Sequence, residues 1–269
     1  MGKASRKKKK VYDSSNFKNR GLEPSSIPKT GLLQKSIFHI MLIIVIGFLA
    51  YSNTFNVPFH FDDTRNIVEN NNLKDLNNFW PPSDSRWFGY LTFALNYHFG
   101  GMNVTGFHIV NLTIHILNAI LVYWLVALTF KTPYFSSSNP PSPPFSKGGM
   151  GGFALFSALI FVSHPIQTQA VTYIVQRFTS LATMFYLLSL VMYVKFRSQQ
   201  SAISGQQKLH ATRYTLYAAS FFSAILAMKT KEIAFTLPVV IALYEFMFFE
   251  GKIKKRILYL IPILLTMLI

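Results

Sequence analysis

The chain has 269 residues, 51% of them hydrophobic and 16% aromatic, with only 13% charged. Ordinary soluble domains carry about 25% charged residues, and here the charges are gathered between long apolar runs, so the composition describes an integral membrane protein. The net charge of +16 sits at the flanks of those runs, which argues against nucleic acid as a partner, and the absence of cysteine excludes disulfides and thiolate metal sites.

The N-terminal stretch "MGKASRKKKK" opens a basic, polar segment, residues 1–36, that reads as a disordered cytoplasmic tail. The first apolar run begins too late for a secretory signal peptide. A membrane-spanning helix needs about 20 apolar residues. Six runs approach that length: 37–55, 107–130, 153–162, 178–196, 214–228 and 233–249. The third is short unless "SHPIQTQAVTYIV" continues it, and the fifth is short unless it extends past Lys229. A seventh run, 257–269, is too short to span and reads as a helix cut off by the end of the chain. The expected fold is therefore an all-α polytopic membrane domain over 37–269, with six to seven transmembrane helices, in an N-terminal fragment of a longer protein.

Positive charge orients these runs. With the tail inside, only Arg65, Lys74, Arg86, Arg177, Lys229 and Lys231 of the 26 Lys and Arg fall outside, as the positive-inside rule requires. The first outer loop, 56–106, carries five of the ten acidic residues: Asp62, Asp63, Glu69, Asp75 and Asp84. Within it "FGYLTFALNYHFG" predicts a helix lying in the membrane interface. The segment 131–152 ends in "SSSNPPSPPFSKGGMGG", a low-complexity cytoplasmic linker without chemistry.

Several residue types could carry chemistry. Asp62 and Asp63 follow the first run either as N-caps for "TRNIVENN" or as carboxylates stationed at the headgroup level. His108, Asn111 and His115, spaced i, i+3, i+7, share one helical face, which suits interhelical hydrogen bonding. A metal site would need a further ligand that the sequence does not supply. His164 precedes an outer turn, Arg177 opens the fourth run, and Lys231 and Glu232 lie between the fifth and sixth. Cations on the outer face call for a reason, and an anionic lipid phosphate is one. The chain has no Gly-rich nucleotide loop, P-loop or nucleophile elbow.

In order, "FHFDDTRNIVEN", "LTFALNYHFGGMNVTGFHIVNLTIHILNA", "SHPIQTQAVTYIVQRFTSLATMFYLLSL" and "LAMKTKEIAF" resemble the membrane portion of GT-C glycosyltransferases that carry C-terminal tetratricopeptide repeats. These are the transmembrane and tetratricopeptide O-mannosyltransferases and their bacterial relatives. The resemblance implies transfer of a sugar from a polyprenyl-phosphate donor to a protein or glycan hydroxyl. Transfer would occur on the non-cytoplasmic face of a membrane, the bacterial inner membrane for a bacterial relative. The sequence itself calls for no cofactor and leaves a divalent metal open. By position Asp62 inherits the role of catalytic base and Asp63 a supporting one. Arg177, Lys231 and Arg86 would meet the donor phosphate, with Glu232, His164, His108, Asn111 and His115 in support. Arg86 stands in "SRWFGYL" without the proline that relatives often show, and the tetratricopeptide repeats are absent. A single base with direct displacement predicts inversion at the anomeric carbon. Two alternatives stay open: a membrane transporter, which would place charges near the bilayer midplane, and a non-catalytic anchor.

Overall fold

A computed structural model describes residues 29–82, 86–137, 149–202 and 207–268. Most of the expected tail and the middle of the 131–152 linker lie outside the described residues. Among the described residues all regular structure is helical, the arrangement by which an apolar segment satisfies its backbone internally in lipid. In chain order the α-helices are α1 (Lys29–Ala50), α2 (Trp87–Gly100), α3 (Val104–Thr129), α4 (Pro133–Ser137) and α5 (Gly149–Ser163). They continue with α6 (Thr168–Thr172), α7 (Arg177–Ala202), α8 (Gln207–Met228), α9 (Leu237–Phe248) and α10 (Ile253–Leu265).

Helix α3 is central. It packs on α5, α7 and α1, and α7 in turn packs along α8. Small side chains allow the close approaches: Ala119, Ala154 and Ala158 are fully buried between α3, α1 and α5. A Cβ at Gly47 would stand 2.9 Å from Ile116 and 3.0 Å from Val162. Without a hydrophobic drive between helices in lipid, such backbone proximity is what holds them together.

Among the described residues two helices are long and apolar enough to cross a membrane, Val104–Thr129 and Ile174–Gln199. A bent pair, Gly151–Ser163 with Pro165–Thr172, passes the same test with a 51° break and makes a third if it is one span. This pair is the expected continuation of the third run, broken where Pro165 removes a backbone donor. Helices of spanning length thus number two or three among the described residues, against the six to seven expected. The apolar helix of the first run is only Ser36–Ala50. The sixth run is interrupted by a 3-10 turn, Glu232–Thr236, which leaves α9 with 12 residues, and α10 has 13.

The segment expected as the first outer loop, 56–106, folds into a cap with its own core. A π-turn, Thr64–Val68, and two 3-10 turns, Asn71–Lys74 and Leu76–Phe79, precede α2. Asn70 and Asp75 cap the two 3-10 turns by accepting from the backbone N–H groups of Asn72 and Asn77. Ile67, Leu73, Phe79, Phe93, Phe107 and Phe178 pack together beneath them. The predicted loop helix is present as α2, seated on α3 and α7. A Cβ at Gly89 would come within 2.3 Å of the Phe178 ring, so only glycine lets α2 sit this close to α7.

Candidate functional site

The paired aspartates begin at an unusual backbone position. Phe61 has φ 52°, the left-handed region that L residues with bulky side chains rarely enter. Beyond it the two carboxylates part company. Asp63 is fully buried. Its Oδ1 accepts from the backbone N–H of Val175 at 2.7 Å, and its Oδ2 accepts from the N–H of His60 at 3.2 Å. The His60 ring nitrogen lies 3.7 Å from the same oxygen. Burial pushes the Asp63 carboxyl above the usual aspartate range, against the pull of those N–H bonds and of His60. Asp63 makes no side-chain bond to the turn that follows it, so the expected capping role is replaced by a long-range tie to the 3-10 turn Ile174–Gln176.

Asp62 faces solvent. Its backbone N–H donates to the Tyr173 hydroxyl at 3.1 Å, and its carbonyl accepts from the Asn66 amide at 2.9 Å. Burial, with the negative charge of Asp62 nearby, raises the Tyr173 hydroxyl pKa, and the Tyr173 ring stacks on His60 with centroids 5.0 Å apart. Asp62 is thus an exposed carboxylate on an over-determined backbone.

A line of contacts leads from Asp62 to the cations. Asn66 Oδ1 accepts from Tyr90 Oη at 2.9 Å. The Tyr90 ring meets Phe178 edge-on at 4.9 Å, and the Arg86 guanidinium lies 5.7 Å from the Phe178 ring centre. Arg86 forms a two-pronged bond with Glu232, Nε to Oε1 at 3.1 Å and NH2 to Oε2 at 3.2 Å, with both side chains partly exposed. This pairing holds the Glu232 carboxyl below its ordinary range. Lys231 Nζ donates to Thr179 Oγ1 at 2.6 Å. Partial burial, aided by repulsion from Arg86, pulls the Lys231 ammonium pKa down. The backbone N–H of Phe88 donates to the carbonyl of Lys229 at 3.2 Å, fastening α2 to the turn after α8. Beside Lys231 and Thr179 an apolar groove of about 280 Å³ opens, lined by Ala182, Thr183, Tyr186, Leu187, Ile233 and Thr236. It runs along the α7 face into the span.

The other expected residues hold structure together. Arg177 is fully buried. It donates through Nε to Asn111 Oδ1 at 2.7 Å, through NH1 to the Thr92 carbonyl at 3.2 Å and through NH2 to the Phe107 carbonyl at 3.0 Å. Phe93 and Phe107 flank the guanidinium, with ring centres 4.4 and 5.5 Å away. In this geometry its fork is taken up by protein oxygens, unlike the exposed Arg86, so the expected direct contact with a phosphate is not what the buried arginine is arranged to make. Asn111 also donates to the carbonyls of Val171 and Ile174 at 3.4 and 3.2 Å. His108 bonds the Val57 carbonyl at 2.8 Å and His115 the Val162 carbonyl at 3.1 Å. Among the described residues no three His, Asp or Glu side chains gather in a set that could hold a metal ion. His164 caps the turn Pro165–Gln167, its Nδ1 accepting from the N–H of Ile166 at 3.2 Å.

Sequence reasoning missed Tyr173, Thr179 and Asn118. Asn118 extends the α3 polar stripe by another i+3 step and donates to the Ser180 carbonyl at 2.9 Å, so periodicity could have found it. Tyr173 and Thr179 carried no local signal.

A helical membrane protein with an exposed carboxylate and a cluster of cations at one end of its bundle is the class these features define. The chain is 30% identical over 234 residues to protein O-mannosyl-transferase tmtc2 of Xenopus laevis, covering 81% of the chain and 25% of that protein. It is 31% identical over 229 residues to human protein O-mannosyl-transferase TMTC2, covering 78% of the chain and 24% of the relative. Drosophila melanogaster protein O-mannosyl-transferase Tmtc3 is 26% identical over 248 residues, covering 82% of the chain and 26% of its own length. The chain is a homologue of the protein O-mannosyl-transferases, which by name are glycosyltransferases. It spans about a quarter of the length of the curated relatives it matches. No family model and no solved structure matches it.

Proposed function

We propose that this chain is the reaction-centre portion of an integral-membrane glycosyltransferase. It would move a sugar from a polyprenyl-phosphate donor to an acceptor hydroxyl on the non-cytoplasmic face, with Asp62 as base. The observation that carries this reading is the split within the aspartate pair: Asp63 is consumed by structure, while Asp62 is left exposed beside Tyr173. An exposed carboxylate within reach of a hydroxyl can accept its proton as attack proceeds. The acceptor oxygen then bonds the anomeric carbon from the face opposite the phosphate. The carbon–oxygen bond to phosphate breaks with its electron pair, and the sugar inverts. The leaving phosphate needs cations near its developing charge. Arg86 and Lys231 are the candidates, with Glu232 holding Arg86 in place and Arg177 acting as a positioning residue. The apolar groove beside Lys231 supports a lipid-linked donor, since it would take the first isoprene units while the phosphate stays at the cations.

The test is made in the full-length protein with a polyprenyl-phosphate sugar. Asp62→Asn keeps size and hydrogen bonding but removes basicity, so turnover should fall by about 10²–10⁴-fold while protein level and donor binding persist. Lys231→Gln should raise donor KM instead, by roughly tenfold. Near-normal turnover in Asp62→Asn removes the base assignment.

A further inference from the structure

At the end of the bundle away from Asp62 lies a second cluster of charge. Arg197 stands 20 positions beyond Arg177 along α7, about 30 Å at 1.5 Å per residue, which is the thickness of a bilayer core. Glu245, fully buried, accepts from Arg197 Nε and NH2 at 2.7 Å each and from Arg256 Nε at 3.2 Å. One carboxylate therefore anchors two arginines, and the ion-paired set keeps an excess positive charge. In front of it opens a pocket of about 220 Å³ walled by Arg197, Lys252, Lys255, Arg256 and Tyr259, with Glu250 as the one acid in its lining.

The backbone reinforces the sign. Helix α10 starts at the pocket and its N-cap, Lys252, makes no side-chain capping bond, so the positive end of the helix faces the opening. Gly251, at φ 143° and with open space where a Cβ would stand, turns the chain from α9 into α10 without narrowing the pocket. Next to it α10 exposes Ile253, Ile257, Leu258 and Ile261, apolar side chains on one side of the helix.

We propose that this pocket binds the phosphate of an anionic phospholipid in the leaflet opposite the Asp62 cluster, its acyl chains lying along the apolar stripe of α10. Arginine and lysine supply charge-assisted bonds to the phosphate. The stripe gives the occupant a tail, which free phosphate lacks. The site is separate from the proposed donor site and would stand without it.

The experiment measures retention of phosphatidylglycerol against phosphatidylcholine by the full-length protein, using native mass spectrometry across mixed micelles of known composition. Lys252→Gln with Lys255→Gln removes two pocket charges and leaves the buried Arg197–Glu245–Arg256 set intact. Lys131→Gln with Lys254→Gln removes the same charge from positions outside the pocket lining. The pocket pair should lose preference for phosphatidylglycerol by about tenfold, and the control pair by less than about twofold. Equal losses in both pairs would mean diffuse surface attraction, and no loss in the pocket pair would mean no site; either overturns the proposal. Displacement of the lipid by millimolar inorganic phosphate would also overturn it, assigning the pocket to free phosphate.

Discussion

Each end of the bundle buries an arginine, and the two solve the same problem differently. Arg177 is cradled by the Asn111 amide oxygen, two backbone carbonyls and two phenylalanine rings, all neutral. Arg197 is bonded to the carboxylate of Glu245, with Arg256 on the same group. Around Arg177 the partners hold irregular backbone in shape: Asn111 secures the carbonyls of Val171 and Ile174, and Asp63 secures the N–H of Val175. Around Arg197 the partners join whole helices, α7 to α9 and α10. One end is thus a shaped surface whose buried polar groups support an exposed carboxylate nearby, and the other is a bolt between helices. The role of a buried charge follows from what its partners hold in place.

The largest effect on stability is expected at the bolt. Glu245→Gln leaves Arg197 and Arg256 without their shared carboxylate, and a broken buried pair costs about 3–5 kcal/mol. Unfolding in detergent should show this, and a loss under about 1 kcal/mol would mean the ion pair does not join those helices. A smaller loss is expected for Arg177→Lys, which keeps the charge but not the fork: about 1.5–3 kcal/mol for a lost charge-assisted bond. Donor KM, normalised to folded protein, should stay unchanged. A tenfold rise in KM at full stability would return Arg177 to direct phosphate contact and erase the contrast between the two ends.

The smallest effect is a pH dependence carried by Asp63. Its folded-state pKa is raised by burial, so between the ordinary aspartate value and the raised one the folded chain binds more protons than the unfolded chain. Its contribution to stability therefore falls as pH rises through that window. Comparing wild type with Asp63→Asn across the acidic range, wild type should gain relative stability as pH is lowered. Glu232 carries the opposite sign, because Arg86 lowers its pKa: its contribution is present above the unfolded value and lost on acidification through the folded one. A wild-type difference of the Glu232 kind at Asp63 would mean that its backbone bonds outweigh burial.

What the sequence by itself determined is what local pattern encodes. Apolar runs fixed a helical membrane chain, because lipid leaves the backbone few other ways to satisfy itself. The i, i+3, i+7 spacing of His108, Asn111 and His115 fixed one face of α3, and the structure turns that face to neighbouring carbonyls. The loop helix α2 and a turn after His164 were legible for the same reason, whereas the 51° break between the two halves of the bent pair was not. Tertiary structure alone decided which of two adjacent aspartates is exposed, since the difference lies in a bond from Asp63 to a residue 112 positions away. It also decided that Arg86 pairs with Glu232 across 146 positions, that Arg177 is spent on carbonyls, and that Glu245, a lone acid in an apolar run, anchors two arginines. Periodicity reports the face a side chain takes on its own helix; the partner on that face is set by packing, which no local window contains.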